Sequence, residues 1–168
     1  MLENKLKVLS LFDGISGAQQ ALKNLGIEYE YYASEIDKYA IQITQKNFPN
    51  TTQLGDIKKI SFYENFDKTI LCTDKLEIEA DFDILCGGSP CQDLSIAKKG
   101  RKGLEGERSG LFYEYVRILK EVKPKFFILE NVASAPLEAK IIMAKCFATL
   151  LTPKDDEWDD WELVNENT

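Results

Sequence analysis

The residues best suited to chemistry lie in one short stretch, Gly87-Gly88-Ser89-Pro90-Cys91-Gln92. It follows an apolar run, Phe82-Asp83-Ile84-Leu85-Cys86, that reads as a buried strand. Two glycines and a proline turn the chain sharply and leave Cys91 at the turn. A nucleophile suits that place, because open α/β sheets hold their ligands at the carboxyl ends of their strands. The competing reading of Cys91 is a small buried core residue. The chain contains no histidine, which excludes Ser-His-Asp and Cys-His catalysis, so a reactive Cys91 has to be activated by other means. The four cysteines, at positions 72, 86, 91 and 146, form no Cys-x-x-Cys pair. Neither a zinc site, nor any other metal centre, nor a disulfide framework is expected.

The elements that would position this stretch follow from the pattern along the chain. Lys7–Phe12 is a β-rich apolar run, ending in Asp13-Gly14-Ile15-Ser16-Gly17-Ala18. Ala18, Ala21, Leu22 and Leu25 then recur at helical spacing, with Gly26 as a C-terminal stop. A strand, a glycine-bearing turn and a helix form the front of a nucleotide-type site, although the same spacing also occurs in ordinary strand-to-helix turns. Tyr29–Ser34 reads as a second strand ending at Glu35-Ile36-Asp37, and Glu35 lies 22 positions after Asp13. Doubly wound folds place a ribose-binding acid about 20 residues on; the alternative for Glu35 is a carboxylate favoured at a helix N-terminus. For Asp37 that second reading is preferred. A helix is expected over Asp37–Phe48, stopped by Pro49, then a weak third strand over Thr51–Gly55 ending at Asp56-Ile57. Residues 58–80 show no firm period and are expected to form a short helix plus a variable connection.

After Cys91 comes a polar segment, Asp93–Gly110, with four glycines and five basic residues, among them Lys98, Arg101 and Arg108. It is read either as a functional loop able to contact phosphates or as a solvated surface loop. An amphipathic helix over Leu111–Val122 closes at Pro124, and Lys125–Leu129 forms a fifth strand ending at Glu130-Asn131-Val132. One more helix is expected within Pro136–Leu151. The order strand, helix, strand, helix, strand, strand, helix, strand calls for an α/β fold with a mostly parallel, doubly wound sheet. Asp13, Glu35, Asp56, Cys91 and Glu130 then converge on one edge of it.

A chain of 168 residues, 44% of them hydrophobic, can bury one core. No run approaches the length of a membrane span, and the first residues are too polar for a signal peptide, so a soluble, cytoplasmic protein is expected. The net charge of −7 argues at first against a nucleic-acid partner. Its distribution weakens the objection: residues 154–168 hold seven acidic side chains against the single Lys154, a net of −6, which leaves residues 1–153 at −1.

Taken together, the motifs resemble those of the DNA (cytosine-5) methyltransferases over residues 7–134. Phe12-Asp13-Gly14-Ile15-Ser16-Gly17 is similar to the family's loop for the methionine tail of S-adenosylmethionine. Glu35-Ile36 and Asp56-Ile57 resemble the motifs for its ribose and adenine. Gly88-Ser89-Pro90-Cys91-Gln92 resembles the nucleophile motif, Arg108-Ser109-Gly110-Leu111-Phe112 the fifth motif, and Glu130-Asn131-Val132 the sixth. The resemblance implies a Rossmann-like methyltransferase fold, S-adenosylmethionine as cofactor and double-stranded DNA as partner. Cys91 and Glu130 would be catalytic. Phe12, Asp13, Gly14, Ile15, Gly17, Glu35, Ile36, Asp56, Ile57, Pro90 and Leu111 would bind the cofactor. Ser89, Gln92, Asn131, Lys98, Arg101 and Arg108 would bind the substrate.

The chemistry suits the residues. Carbon 5 of cytosine is a poor nucleophile until a soft thiolate such as Cys91 adds at carbon 6. A Glu130 kept protonated by desolvation can donate to the ring nitrogen. The basic loop or backbone N–H groups at the turn can lower the thiol pKa, and the base must leave the stack to reach such a pocket. The family continues beyond the sixth motif with a target-recognition region and a closing helix, and neither is visible here. The expected organisation is therefore a partial catalytic domain over 1–151 and an acidic tail over 152–168. Three readings stay open: an enzyme whose missing half is a second polypeptide, a truncated product with the fold but little activity, and a non-enzymatic interaction module.

Overall fold

Five short apolar segments pair side by side, all in the same direction. In the computed structural model, which describes residues 5–90, 111–133, 135 and 137–151, these are β1 (Leu6–Leu11), β2 (Tyr29–Ser34), β3 (Thr52–Gln53), β7 (Ile84–Gly88) and β8 (Phe126–Glu130). Their spatial order is β3-β2-β1-β7-β8, so the strand order reverses between β1 and β7. The helices α1 (Gly17–Asn24), α2 (Lys38–Asn47), α3 (Phe112–Val122) and α4 (Leu137–Leu151) connect or follow them. This is the doubly wound, Rossmann-like arrangement expected from the pattern. Every main-sheet strand ends on the same edge, beside the topological switch point where such sheets receive ligands.

Burial explains which strands are central. Val8, Leu9, Ser10 and Leu11 are all buried, the run expected of a parallel strand covered on both faces. On one face Leu9, Leu11 and Leu85 meet α3 and α4; on the other, Val8, Tyr31, Ala33 and Cys86 meet α1 through Ala18 and Leu22. Tyr115 of α3 is fully buried, and its hydroxyl donates to the carbonyl of Ile128 (3.1 Å) and lies 3.4 Å from that of Leu85. Burial pushes that hydroxyl far above the ordinary phenol range, which keeps it a donor. Phe147 of α4 closes this side, its ring 5.8 Å from Phe112 and 5.2 Å from Phe127.

At the opposite, amino-terminal edge Asp83 clamps three strands. Its carboxylate accepts from the backbone N–H of Lys7 (2.8 Å) and from Lys125 Nζ (2.7 Å), while its carbonyl accepts from the N–H of Phe126 (3.0 Å). Partial burial opposes the charged form, but the Lys125 and Lys7 bonds and charges outweigh it and hold the carboxyl below the ordinary carboxylate range.

Two expectations are corrected. Residues 58–80 are mostly not a helix with an irregular connection. After a single 3₁₀ turn (Ile57–Lys59) they form an antiparallel meander of β4 (Ser61–Asn65), β5 (Lys68–Cys72) and β6 (Glu77–Glu79). The cause is alternation interrupted by a two-residue turn: Phe62, Leu71, Leu76 and Ile78 pack on the core while Ser61, Tyr63 and Glu77 are exposed. Second, Gly87 and Gly88 do not turn the chain. They are the last residues of β7, paired with Leu11, Leu129 and Glu130.

Two outcomes follow from this packing. Phe147→Ala should lower stability by about 3–5 kcal/mol, the cost of an emptied aromatic site, measured by urea denaturation. Because the folded-state pKa of Asp83 is depressed, its stabilisation is complete above the ordinary carboxylate pKa and is lost as the pH falls through the folded value. Asp83→Asn should therefore unfold at lower urea than the wild type at neutral pH, with the difference shrinking on acidification.

Candidate active site

Two glycines let the ends of β1, β7 and β8 come together. A Cβ on Gly87 would run into the carbonyl oxygen of Leu11, and one on Gly88 would stand 2.6 Å from Glu130 Oε2. The Glu130 side chain therefore lies over the bare backbone of Gly88, on the partner strand. One residue further on, Asn131 Nδ2 donates to the buried Ser89 hydroxyl (3.3 Å), and Asn131 Oδ1 accepts from the N–H of Val132 (2.8 Å). These bonds join the loop after β7 to the loop after β8. Glu130 itself is exposed, so the water exclusion expected around it has to come from whatever binds there.

Along the same edge, Glu35 directly follows β2 and binds three backbone N–H groups. Oε2 accepts from Gly14 (2.8 Å), and Oε1 accepts from Ile36 (2.7 Å) and Asp37 (2.9 Å). Three accepted bonds leave part of the carboxylate's capacity for a ligand hydroxyl. Asp37, in turn, is the N-cap of α2, accepting from Tyr39 and Ala40 N–H. That is the role preferred for it from the sequence. Glu35 lies outside the helix and holds the glycine loop instead.

Asp13 looks inward. Oδ1 accepts from the Tyr31 hydroxyl (2.8 Å) and Oδ2 from the Ser16 hydroxyl, while its backbone N–H donates to the Ser34 carbonyl (3.2 Å). Burial first, then nearby Cys86 and Asp13, pushes the Tyr31 hydroxyl far above the ordinary phenol range, so it remains a donor. The loop that these bonds hold is wound tightly: Phe12, Gly14 and Ser16 all have positive φ, at 57°, 58° and 66°. Thr44 adds a bond to the Gly14 carbonyl (3.3 Å). Space above Gly14, Gly17 and Gly55 is open: a Cβ added at any of the three would meet nothing within 4 Å. The N-terminus of α1 has no side-chain cap, which leaves its first N–H groups for a ligand.

Other expected residues divide into four groups. Asp56 caps the 3₁₀ turn, accepting from Lys58 N–H (3.0 Å), and Ile15 and Ile36 are largely exposed beside the edge. Ile57 and Leu111 point into or against the core, so side-chain contact with a ligand is not available to the buried Ile57. Phe12 packs partly on the core and Pro90 is half-buried. Cys91, Gln92, Lys98, Arg101 and Arg108 lie outside the described residues. Among the cysteines that are described, burial pushes Cys86 and Cys72 up, which makes both poor nucleophiles. Ser16, Tyr31, Ser34 and Thr44 shape the loops, yet the sequence pattern does not single them out. Only Tyr31 leaves a trace there, as a polar-tipped aromatic alternating with Tyr29.

A groove of about 520 Å³ runs from this edge down the sheet, lined by Asp13, Gly17, Leu22, Cys86, Ile128 and Glu130 among others. A larger cavity, about 700 Å³, lies toward the amino end of β2 and includes Lys5, Lys23, Tyr29, Phe48 and Asn50. Size favours the second, but Asp13, Gly17, Gly87, Gly88 and Glu130, at the carboxyl ends of β1, β7 and β8, line the first.

Comparison with known proteins gives the family. The family model described as C-5 cytosine-specific DNA methylase matches residues 6–140. The chain is 44% identical over 131 residues to the orphan methyltransferase M.SPRI of Bacillus phage SPR, a match covering 76% of this chain and 26% of that protein. It is 39% identical over 127 residues to the type II methyltransferase M.HhaI of Haemophilus parahaemolyticus, covering 76% and 34%. A solved structure from an E. coli prophage, described as that of a DNA modification methyltransferase, is similar with a TM-score of 0.59 and 25% identity over 86% of this chain and 37% of its own. The chain thus spans about a quarter to a third of the length of these curated relatives.

Asp13→Ala should cost about 1–3 kcal/mol by stranding the Tyr31 and Ser16 hydroxyls, and Tyr31→Phe should cost less. Chemical denaturation of both variants measures this.

Proposed function

The chain belongs to the C-5 cytosine-specific DNA methylase family, and on that premise we propose that it carries the cofactor-binding and catalytic part of a DNA (cytosine-5-)-methyltransferase. The observation that supports this most is the Glu35 carboxylate fastened to Gly14 N–H, which joins the acid after β2 to the open glycine loop after β1.

S-adenosylmethionine fits the residues present. Glu35 retains acceptor capacity for ribose hydroxyls, Gly14 and Gly17 leave open space where a side chain would intrude, and the uncapped α1 N-terminus suits a carboxylate. Ile15 and Ile36 offer exposed apolar surface, and Asp56 stands at the end of β3. The cofactor supplies a methyl group. Phe12, Asp13, Ile57, Pro90 and Leu111 support the pocket around it, Ile57 and Leu111 through the core.

In this reading the target cytosine leaves the stack and lies against Glu130 and the loop after β7. The Cys91 thiolate forms a bond to carbon 6 while Glu130 donates a proton to the ring nitrogen, so the ring's electron pair moves toward carbon 5. Once carbon 5 has taken the methyl group and the demethylated cofactor is left as a thioether, water takes the carbon 5 proton, the carbon 5–carbon 6 double bond re-forms as the Cys91 thiolate leaves, and the ring nitrogen returns its proton to the Glu130 carboxylate. Ser89, Gln92 and Asn131 frame the base, and Lys98, Arg101 and Arg108 meet phosphates. The substrate is double-stranded DNA, and a complementary polypeptide that reads its sequence is a partner the adduct experiment below tests for. Residues 1–151 form the catalytic part and 152–168 a separate acidic tail, in a soluble, cytoplasmic protein. Among the described residues no helix is long and apolar enough to cross a membrane.

Isothermal titration should detect S-adenosylmethionine binding, weakened about tenfold or more by Glu35→Ala, the scale of a lost charged hydrogen bond. No binding to the wild-type chain would overturn the cofactor reading. DNA containing 5-fluorocytosine should trap a covalent adduct that Cys91→Ala abolishes. A trap formed only after a complementary polypeptide is added supports the split enzyme; no adduct in either case overturns the catalytic reading.

A further inference from the structure

Ser16 starts α1 yet does not cap it. Ser16-Gly17-Ala18-Gln19 has the spacing of a capping box, in which the serine hydroxyl accepts from the first helical N–H groups. Here the Ser16 side chain makes no such bond, and its backbone N–H goes to the Asp13 carbonyl (3.1 Å). The residue is buried in a left-handed conformation, φ 66° and ψ 49°, which a serine keeps only where its surroundings over-determine it. Its hydroxyl is committed elsewhere: it donates to Asp13 Oδ2 and accepts from Gln19 Nε2 (3.0 Å). Gln19 is buried too, and its Nε2 also donates to the buried Thr51 hydroxyl (2.8 Å), which donates in turn to the Phe48 carbonyl (2.8 Å). Gln45 Nε2 steadies that turn through the Thr51 carbonyl (3.0 Å). A row of side-chain bonds thus runs from Tyr31 through Asp13, Ser16 and Gln19 to the turn between α2 and β3.

The ends of this row set the direction of every bond in it. A carboxylate and a carbonyl only accept, so the Ser16 proton goes to Asp13 and the Thr51 proton to Phe48. Both hydroxyl oxygens are left as acceptors, and the group between them has to supply two N–H donors. A glutamine amide does this; a carboxylate of the same shape cannot.

We propose that Gln19 is a positioning residue for the cofactor: its amide, clamped by Thr51, holds the Ser16 hydroxyl toward Asp13 and so keeps the serine from capping α1. The N–H groups of the first helical turn then stay available beside Gly14 and Gly17, where an added Cβ would meet nothing within 4 Å. Without the Gln19 donors, Ser16 leaves its left-handed conformation and turns back onto its own helix. That closes the place a ligand carboxylate would take. Gln19's role in binding rests on the cofactor reading of this loop, whereas its hold on Ser16 is a property of the free chain.

Two variants separate these parts. Gln19→Met keeps the length of the side chain and removes its donors; Gln19→Glu supplies the carboxylate of a complete capping box. In the free chain, hydrogen exchange at the amides of Ala18 and position 19 should be slower in both variants than in the wild type. Adding Ser16→Gly, which suits the positive φ and has no hydroxyl, should restore fast exchange to the Gln19→Met chain. Isothermal titration should show S-adenosylmethionine binding weakened about tenfold by Gln19→Met, the scale of a charged hydrogen bond, and recovered on adding Ser16→Gly. Binding of 5′-methylthioadenosine, which lacks the carboxylate, should stay unchanged throughout. Exchange that is no slower in either variant would overturn the proposal without touching the cofactor reading. So would equal losses for the two ligands, or a loss that Ser16→Gly does not repair, because a merely distorted pocket gives both. Slowed exchange in the variants of a chain whose wild type binds neither ligand would overturn the cofactor reading and, with it, Gln19's role in binding.

Discussion

The structure depends on the absence of two side chains. Gly87 and Gly88 end β7 between β1 and β8, where a Cβ would meet the Leu11 backbone at Gly87 and the Glu130 side chain at Gly88. Strands of a parallel sheet lie about 4.7–4.9 Å apart whatever their residues; the glycines instead give up the space above the strand. That space admits the Glu130 carboxylate over the end of β7. A larger residue at Gly88 could be accommodated only by moving the Glu130 side chain.

The two acids of the β1 and β2 loops divide the work of shaping that site. Asp13 is consumed by internal bonds, to Tyr31, Ser16 and the backbone of Ser34, and so acts as a scaffold for the tight turn from Phe12 to Ser16. Glu35 binds only backbone N–H groups, which orients it without exhausting it. A carboxylate held by N–H donors at a fixed angle is preorganised for a hydroxyl ligand. The cost of orienting it is met on folding rather than on binding. Asp83 performs a matching task at the far edge, where its carboxylate and carbonyl fix the starts of β1 and β8 relative to β7.

Much of this is legible in the residue pattern, and the rest is hidden for identifiable reasons. The apolar and aromatic run bounded by Gly26 and Glu35 delimits β2 correctly, and Asp37 and Pro49 delimit α2, because caps and stops are local signals. Gly87 and Gly88 read as a turn because glycine carries the same letter whether it supplies a positive φ or a close approach. Here only packing against Leu11 and Glu130 decides. The meander over residues 61–79 has strands of three to five residues, too short for a period to stand out amid mixed charge. Its turn places the positive φ on Phe66, an aromatic, rather than on the neighbouring Asn65 or on a glycine. The strand-end acids stand out in the sequence, but the inward role of Asp13 does not, since Tyr31 and Ser16 become its partners only once β1 and β2 are paired. Ile57 likewise reads as a site residue from its neighbour Asp56, while the fold commits its side chain to the core.

The central claim is that ligand binding belongs to the carboxyl edge of the sheet, although the larger cavity lies at the other end. Nitrogen-15 chemical-shift mapping of the folded chain titrated with S-adenosylmethionine tests it directly. The account expects the shifts to concentrate at Gly14, Gly17, Glu35–Asp37 and Gly55–Ile57, with the amides bonded to Glu35 among the most affected. Shifts centred on Lys5, Gly26–Tyr29 and Phe48–Asn50, with the carboxyl edge unmoved, would contradict it.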